Sequence, residues 1–123
     1  MSNKRDGYPK NDLPLELLKL KFRLIDQEIY EIITLYDQHA FVKAVSFLRG
    51  GYFYVTYQGN TAMPYHRIVW MLLHDVQIPK NAEGHFYLVD HFDGNPLNNK
   101  PWNLRLVTRL ENRNNHGQTL IFS

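Results

Sequence analysis

The spacing of apolar residues changes along the chain, from short alternating runs in the first half to a helical repeat after Pro64. Residues 22–25 and 29–35 are rich in β-branched and aromatic side chains, and the polar break between them predicts a hairpin. Residues 41–48 predict a third strand, and residues 52–57 (Tyr-Phe-Tyr-Val-Thr-Tyr) predict a fourth. The first half is therefore expected to consist mainly of antiparallel strands.

Two segments have the three- and four-residue spacing of amphipathic helices. The first is a short helix that starts near Asp12 and ends near Lys21. Its apolar side chains share one face: Leu13, Leu17 and Leu20. The second runs from Pro64 to about Asp75. Its apolar face is formed by Tyr65, Ile68, Val69 and Leu72, and is widened by Trp70 and Leu73.

Two further apolar runs flank a loop that is rich in asparagine. Residues 87–89 predict a strand that ends at Asp90 and His91, and residues 104–107 predict its partner. Neighbouring residues of a strand point to opposite faces, so both side chains can serve one site only where the strand ends and the backbone bends. The turn-forming residues 93–96 supply that bend.

The second run leads into a short helix. Thr108 and Glu111 have the spacing of a capping box, with Thr108 as the N-cap. Asn112 then falls in the second turn and can point back at the strand ends. The two strands and the helix form a ββα unit that brings together Asp90, His91 and Asn112.

The fold class expected from these patterns is α+β. Antiparallel hairpins with short helices occupy residues 1–63, a region that is a candidate for DNA contact, and the ββα unit with its preceding helix occupies residues 64–123. Hydrophobic residues make up 44% and charged residues 21% of the chain, which is typical of a globular protein.

Several kinds of partner and compartment are disfavoured by the composition. The chain has no cysteine, which excludes a disulfide-linked partner and a thiolate zinc site. No apolar run approaches the roughly 20 residues of a membrane span, and the first residues lack an apolar signal segment. A cytoplasmic protein without a membrane partner is expected.

Net charge is only +2, so the distribution of charge matters more than its total. Arg105, Arg109 and Arg113 lie close to the ββα motif and are candidates for binding DNA phosphates. Solvated surface charge is the alternative for each of them. The tyrosine-rich strand is also open to two interpretations: one face is assigned to the core, and the other could be core or nucleic-acid contact.

The candidate site combines oxygen-bearing side chains with an imidazole. Few hard oxygen ligands suit Mg²⁺ or Mn²⁺, completed by water and substrate phosphate oxygens. A neutral His91 could take the proton from the attacking water as a general base. The other histidines of the second half that precede it, His66, His74 and His85, are interpreted as structural or exposed.

The order of these residues resembles the HNH endonuclease family, especially its small phage and intron-encoded homing endonucleases. The resemblance is carried by Val89, Asp90, His91, Phe92, Asp93, Gly94, Asn95, Asn98, Asn99, Asn103, Leu104, Arg105, Leu106, Val107, Thr108, Glu111 and Asn112. Residues 65–70 are similar to the helix that precedes the motif in that family. The resemblance covers about residues 51–115.

The resemblance implies a role for each residue that matches the family pattern. His91 would be the general base, and Asp90 and Asn112 the metal ligands. Asn103 would be needed for catalysis because its side chain holds the loop by hydrogen bonds to the backbone. His116, four residues after Asn112, is a further candidate ligand.

The function implied is a metal-dependent HNH endonuclease that hydrolyses phosphodiester bonds of double-stranded DNA, with Mg²⁺ or Mn²⁺ as cofactor. A phage-type homing enzyme would act in the cytoplasm of its host cell. The alternatives are a DNA-binding module whose nuclease site has lapsed and a purely structural ββα domain.

Overall fold

The computed structural model describes residues 12–57, 59 and 61–111. In chain order its elements are α1 (Leu15–Lys21), β1 (Phe22–Ile25), β2 (Glu28–Leu35), β3 (Gln38–Lys43), β4 (Ser46–Arg49), β5 (Tyr52–Tyr57), β6 (Thr61–Pro64), α2 (Tyr65–His74), β7 (Leu88–His91) and β8 (Leu104–Val107), with a 3₁₀ turn at Pro101–Asn103. The strands form three antiparallel sheets, β1-β2-β3, β4-β5-β6 and β7-β8. The α+β class predicted from the sequence is confirmed.

The predicted first hairpin is present and is closed by a two-residue turn. Asp26 and Gln27 have φ angles of 51° and 68°. Two successive left-handed residues match the right-handed twist of the flanking strands, which is why such turns close short hairpins. The next connection, at Tyr36 and Asp37, is a turn of the same kind, with φ angles of 50° and 65°.

The single strand predicted over residues 41–48 is wrong: the structure divides it into β3 and β4. β3 pairs with β2, whereas β4 pairs with β5 in a different sheet. The backbone N–H of Ala44 still donates to the carbonyl of Ile29 at 3.0 Å, and the chain then crosses between the sheets. Alternating periodicity runs through both strands, so the pattern carries no sign of the crossover.

The first helix also differs from its prediction. α1 begins at Leu15, and its N-cap residue is Pro14, whose side chain cannot accept a hydrogen bond. The backbone N–H of Leu15 donates instead to Oε1 of Gln77 at 2.6 Å, and Asp12 is bonded to Arg67. Leu18 is fully buried, whereas Leu20 is 70% exposed. A helix of two turns has too few residues for spacing alone to fix its buried face, and the packing of α1 against α2 decides it.

α2 runs through the middle of the described structure and packs against α1, β5, β6, β7 and β8. Its residues 67–71 are all buried, while Leu73, which was expected to widen the apolar face, is 45% exposed. The buried apolar cluster draws on both halves of the chain: Leu18, Phe22, Ile29, Val55, Met63, Ile68, Val69, Trp70, Met71, Ile78, Val89 and Leu104. α2 therefore provides the support on which β7 and its end residues rest.

Within the described residues, neither helix has the length and apolar character needed to cross a membrane.

Candidate active site

Asp90 and His91 end β7, as predicted, and both are buried, with 9% and 6% of their surface exposed. In the antiparallel register Asp90 lies opposite Arg105 and His91 lies opposite Leu104. Alternation along the strand places them on opposite faces. The ring of His91 reaches α2, and the carboxylate of Asp90 is covered by Arg105.

Asn103 organises the loop that follows β7. Its side chain is fully buried, and its Nδ2 donates to Oδ1 of Asp93 at 3.0 Å and to the carbonyl of Asn98 at 2.8 Å. Its Oδ1 accepts from the backbone N–H of Asp93 at 3.0 Å. A polar loop cannot be ordered by the burial of apolar side chains. These three hydrogen bonds hold it in one conformation instead. Two of the three bonds are with the backbone of the loop, and the third is with the side chain of Asp93.

Asp93 is the second organiser of the loop. Its carboxylate accepts from the side chain of Asn98 at 2.9 Å and from the backbone N–H of Asn95 at 2.8 Å. These bonds, led by the one from Asn98 and joined by the one from Asn103, lower the pKa of Asp93 below its ordinary value. Gly94 follows with φ +78°, a left-handed turn position that suits glycine.

The imidazole of His91 is held by Asn99, a residue to which the sequence motif gave no role. Nε2 of His91 lies 2.7 Å from Oδ1 of Asn99. An amide oxygen can only accept, so in this arrangement Nε2 carries the proton. In the neutral ring, Nδ1 is then the nitrogen with the free lone pair. The pair of asparagines in the loop was the only available signal for this contact.

Two aromatic neighbours complete the surroundings of His91. The ring of His66, on α2, lies 4.8 Å from that of His91, and the ring of Tyr52, on β5, lies 6.1 Å away. Burial lowers the pKa of His66 to about 3, and the charges of His91 and Arg67 act in the same direction. Nδ1 of His66 is buried without a hydrogen-bond partner among the described residues. Sequence reasoning gave His66 no part in the site, because the contact depends on how α2 packs against β7.

Asp90 is paired with Arg105 across the two strands. Nη2 and Nε of Arg105 lie 3.1 and 3.3 Å from the same oxygen, Oδ2. The guanidinium also lies 4.8 Å from the ring centroid of Phe92. The arginine therefore fixes one oxygen of the Asp90 carboxylate.

The capping box after β8 is confirmed. The backbone N–H of Glu111 donates to Oγ1 of Thr108 at 3.0 Å, and the backbone N–H of Thr108 donates to Oε1 of Glu111 at 2.8 Å. Arg109 is exposed at this helix start. Three residues singled out by the sequence, Asn112, Arg113 and His116, lie outside the described residues.

The donor set tests which metal the site would suit. Asp90 offers one hard oxygen, and no group of three or more His, Cys, Asp or Glu side chains among residues 12–57, 59 and 61–111 could hold a metal ion. Mg²⁺ and Mn²⁺ are commonly held by one or two carboxylates with water and phosphate oxygens, whereas structural zinc sites use four protein ligands. A carboxylate oxygen is a ligand that Mg²⁺ and Mn²⁺ accept, so the chemistry of the Asp90 side chain fits a hard cation.

A buried ion pair fixes α2 relative to the entry of β7. Nη2 of Arg67 lies 2.6 Å from Oδ2 of Asp12, and Nη1 donates to the carbonyl of Tyr87 at 3.1 Å. The two charged side chains are only 3% and 5% exposed. The pair connects the start of the described chain to the strand that carries Asp90 and His91.

Comparison with known proteins adds one finding to this geometry. Residues 64–114 match a protein-family model described as HNH endonuclease. The matched segment contains α2, β7, the loop and β8, so it includes Asp90, His91 and Asn103. The match supports an HNH nuclease family for this segment, and with it a hydrolase that acts on nucleic acid. No curated protein and no solved structure matches the chain.

Proposed function

We propose that this protein is a metal-dependent HNH endonuclease of the phage homing type, which hydrolyses phosphodiester bonds of double-stranded DNA in the cytoplasm of a host cell. The observation that carries the proposal is that a buried carboxylate, Asp90, and a buried imidazole, His91, are consecutive residues at the end of β7. The family match over residues 64–114 supports the same chemistry.

In this proposal His91 is the general base. Its Nδ1 takes a proton from the water that attacks the phosphorus, while Asn99 holds the opposite edge of the ring through Nε2. Asn103 acts indirectly, since it fixes the loop that carries Asn99. The arrangement needs His91 to be neutral when the reaction begins.

Asp90, through its Oδ1, and Asn112 would hold Mg²⁺ or Mn²⁺, with His116 as the alternative or additional ligand. When bound, the cation stabilises negative charge on the phosphate and on the departing 3′ oxygen. Arg105 keeps the carboxylate of Asp90 in place. Arg109 and Arg113 are proposed as contacts to DNA phosphates. Arg105 could contact a phosphate only in addition to its hydrogen bond with Asp90.

A plasmid-nicking assay tests the proposal. The purified protein should convert supercoiled DNA to nicked or linear forms with Mg²⁺ or Mn²⁺, and EDTA should stop the reaction. Asp90→Ala, prepared in the same way, is the control for a contaminating nuclease. Equal cleavage by this variant, or no cleavage by the unchanged protein with any divalent cation, would contradict the proposal.

One observation favours a DNA-binding module with a lapsed site as the second candidate. The guanidinium of Arg105 already neutralises part of the charge with which Asp90 would attract a cation. A gel shift without cleavage would identify that alternative. Absence of both binding and cleavage would favour a structural role.

A further inference from the structure

One face of the second sheet combines aromatic rings with a single cation. In the register of β4 and β5, Phe47 lies opposite Tyr54, and Arg49 lies opposite Tyr52. Cross-strand partners, and residues two apart on one strand, share a face of the sheet. These four side chains therefore form one continuous patch, which we call the Arg49 surface.

The rings of this patch hold the guanidinium in place. Phe47 and Tyr54 are stacked with their centroids 5.9 Å apart. The guanidinium carbon of Arg49 lies 5.2 and 5.3 Å from the two centroids. Contacts of this kind stabilise the cation and restrict its side chain without neutralising the charge.

Arg49 has no acidic partner among the residues that the structure describes. Among the described residues, the ion pairs join Lys19 to Asp75, Lys43 to Glu28, Arg67 to Asp12 and Arg105 to Asp90. None of these pairs includes Arg49, which is exposed. A cation that is held in position and left unpaired is suited to an external anion.

The patch continues directly to the candidate active site. Tyr52, the cross-strand partner of Arg49, has its ring 6.1 Å from the ring of His91 and 5.7 Å from that of His66. Cross-strand partners have Cβ atoms about 5 Å apart. Phosphates of one DNA strand are spaced by about 3.4 Å along the helix axis. The distance from His91 through Tyr52 to Arg49 therefore corresponds to only a few nucleotides.

We propose that the Arg49 surface binds the sugar–phosphate backbone of the nucleic-acid strand whose phosphate lies at His91. Arg49 contacts a phosphate a few nucleotides from the scissile bond, and Tyr52 lies between the two points. The inference rests on the proposed nuclease function and assigns its substrate contact to a residue outside the segment that matches the HNH family model.

The salt dependence of DNA binding tests the contact. In a His91→Ala background, which prevents cleavage during the titration, Kd for a duplex is measured at several salt concentrations. Arg49→Ala should weaken binding and lower the slope of log Kd against log salt by about 0.9, the value for one phosphate contact. Arg49→Lys, which keeps the charge, should retain the slope. A slope for Arg49→Ala equal to that of the parent would overturn the proposal.

Arg23 provides the matched control. Its guanidinium also lies over a ring, 4.8 Å from the centroid of Phe41, but on the first sheet. Arg23→Ala should leave the slope unchanged. An equal loss of slope in both variants would show a diffuse effect of charge and would overturn the assignment to the Arg49 surface.

A second arm tests where along the strand the contact falls. Once the cut position is mapped, single phosphates within about four nucleotides of it are replaced by neutral methylphosphonates. One position should weaken binding by the parent and have no effect on Arg49→Ala. Additive losses at every position would place the contact elsewhere and reject the proposal.

Failure of the nuclease function itself gives a different result. If the protein with His91 intact cuts no DNA, the salt titration still decides whether Arg49 contacts a phosphate. If the protein cuts DNA and Arg49→Ala binds with the parent slope, only the inference about the Arg49 surface is lost.

Discussion

At the scale of one residue, Asn103 shows how a buried polar side chain can order a loop that has no apolar core of its own. It is fully buried, and each of its three side-chain hydrogen bonds ends on the loop between β7 and β8. Its replacement removes the amide and leaves the part-buried N–H of Asp93 and carbonyl of Asn98 without these partners, which is costly.

Asn103→Ala is therefore expected to lower the free energy of unfolding by roughly 1–3 kcal/mol. Cleavage should fall, and a high metal concentration should restore part of it, because the ligands remain while the loop loosens. Asp90→Ala should show no comparable rescue. Thermal denaturation and a metal titration measure both effects, with Asn95→Ala, an exposed change in the same loop, as the control. An unchanged melting temperature with complete, metal-insensitive inactivity would contradict this account.

The ligand atoms at Asp90 predict which metals support activity. Mg²⁺ and Mn²⁺ should support faster cleavage than Zn²⁺, because the proposed donors are hard oxygens and the chain has no cysteine. Asp90→Ala and Asn112→Ala should each raise the metal concentration needed for half-maximal activity. Highest activity with Zn²⁺, together with loss of activity on changing His116, would show that the ligand assignment is wrong.

His66 makes a prediction about pH and stability. Its pKa is about 3 in the folded protein, and the ordinary value is 6.5. Between these values the unfolded chain binds more protons, so stability is full above pH 6.5 and declines as the pH falls toward 3. The slope is about 1.4 kcal/mol per pH unit for one such group.

Urea unfolding at pH 7, 6, 5 and 4 measures that slope in the unchanged protein and in His66→Phe. The variant keeps a ring against His91 but has no titrating group at this position. The slope of its unfolding free energy against pH should therefore be smaller by the contribution of about one proton. Parallel curves would show that His66 is not held neutral by burial.

At the scale of elements, the sequence correctly predicted the features that depend on interactions between residues close together in the chain. The hairpin β1–β2, the strand β5, the extent of α2 and the capping box at Thr108 and Glu111 each depend on neighbours within a few residues. The predicted strand pair after α2 is also present.

The failures at this scale all involve partners distant in the sequence. The crossover between β3 and β4 depends on two sheets competing for adjacent segments. Asp12 was expected at a helix start, yet it pairs with Arg67, 55 residues away. The contact between His66 and His91 and the bond between Arg105 and Asp90 arise from packing, which spacing along the chain does not encode.

The buried pair that ties α2 to the start of the described chain is expected to matter for stability. Asp12→Ala leaves the guanidinium of Arg67 buried without its anion, and a loss of about 3–5 kcal/mol is expected. Lys19→Ala removes an exposed ion pair, whose side chains are 54% and 65% exposed, and should cost at most about 1 kcal/mol. Denaturant unfolding compares the two variants, and equal losses would contradict the role given to Arg67.

For the molecule as a whole, four parts of the described chain meet around His91. β7 supplies Asp90 and His91, the loop held by Asn103 supplies Asn99, and α2 and β5 bring the rings of His66 and Tyr52 against His91. The first half of the chain is thus part of the site's surroundings through Tyr52 and extends them toward Arg49.

The central claim is that His91 removes a proton in the cleavage of a phosphodiester bond. Single-turnover cleavage of a DNA substrate by His91→Ala and by the unchanged protein tests it most directly, with melting temperatures measured on the same samples. Loss of a general base should slow cleavage by about 10²–10⁴-fold, with folding and DNA binding retained. Cleavage within a few-fold of the unchanged protein by a folded His91→Ala variant would remove His91 from the mechanism.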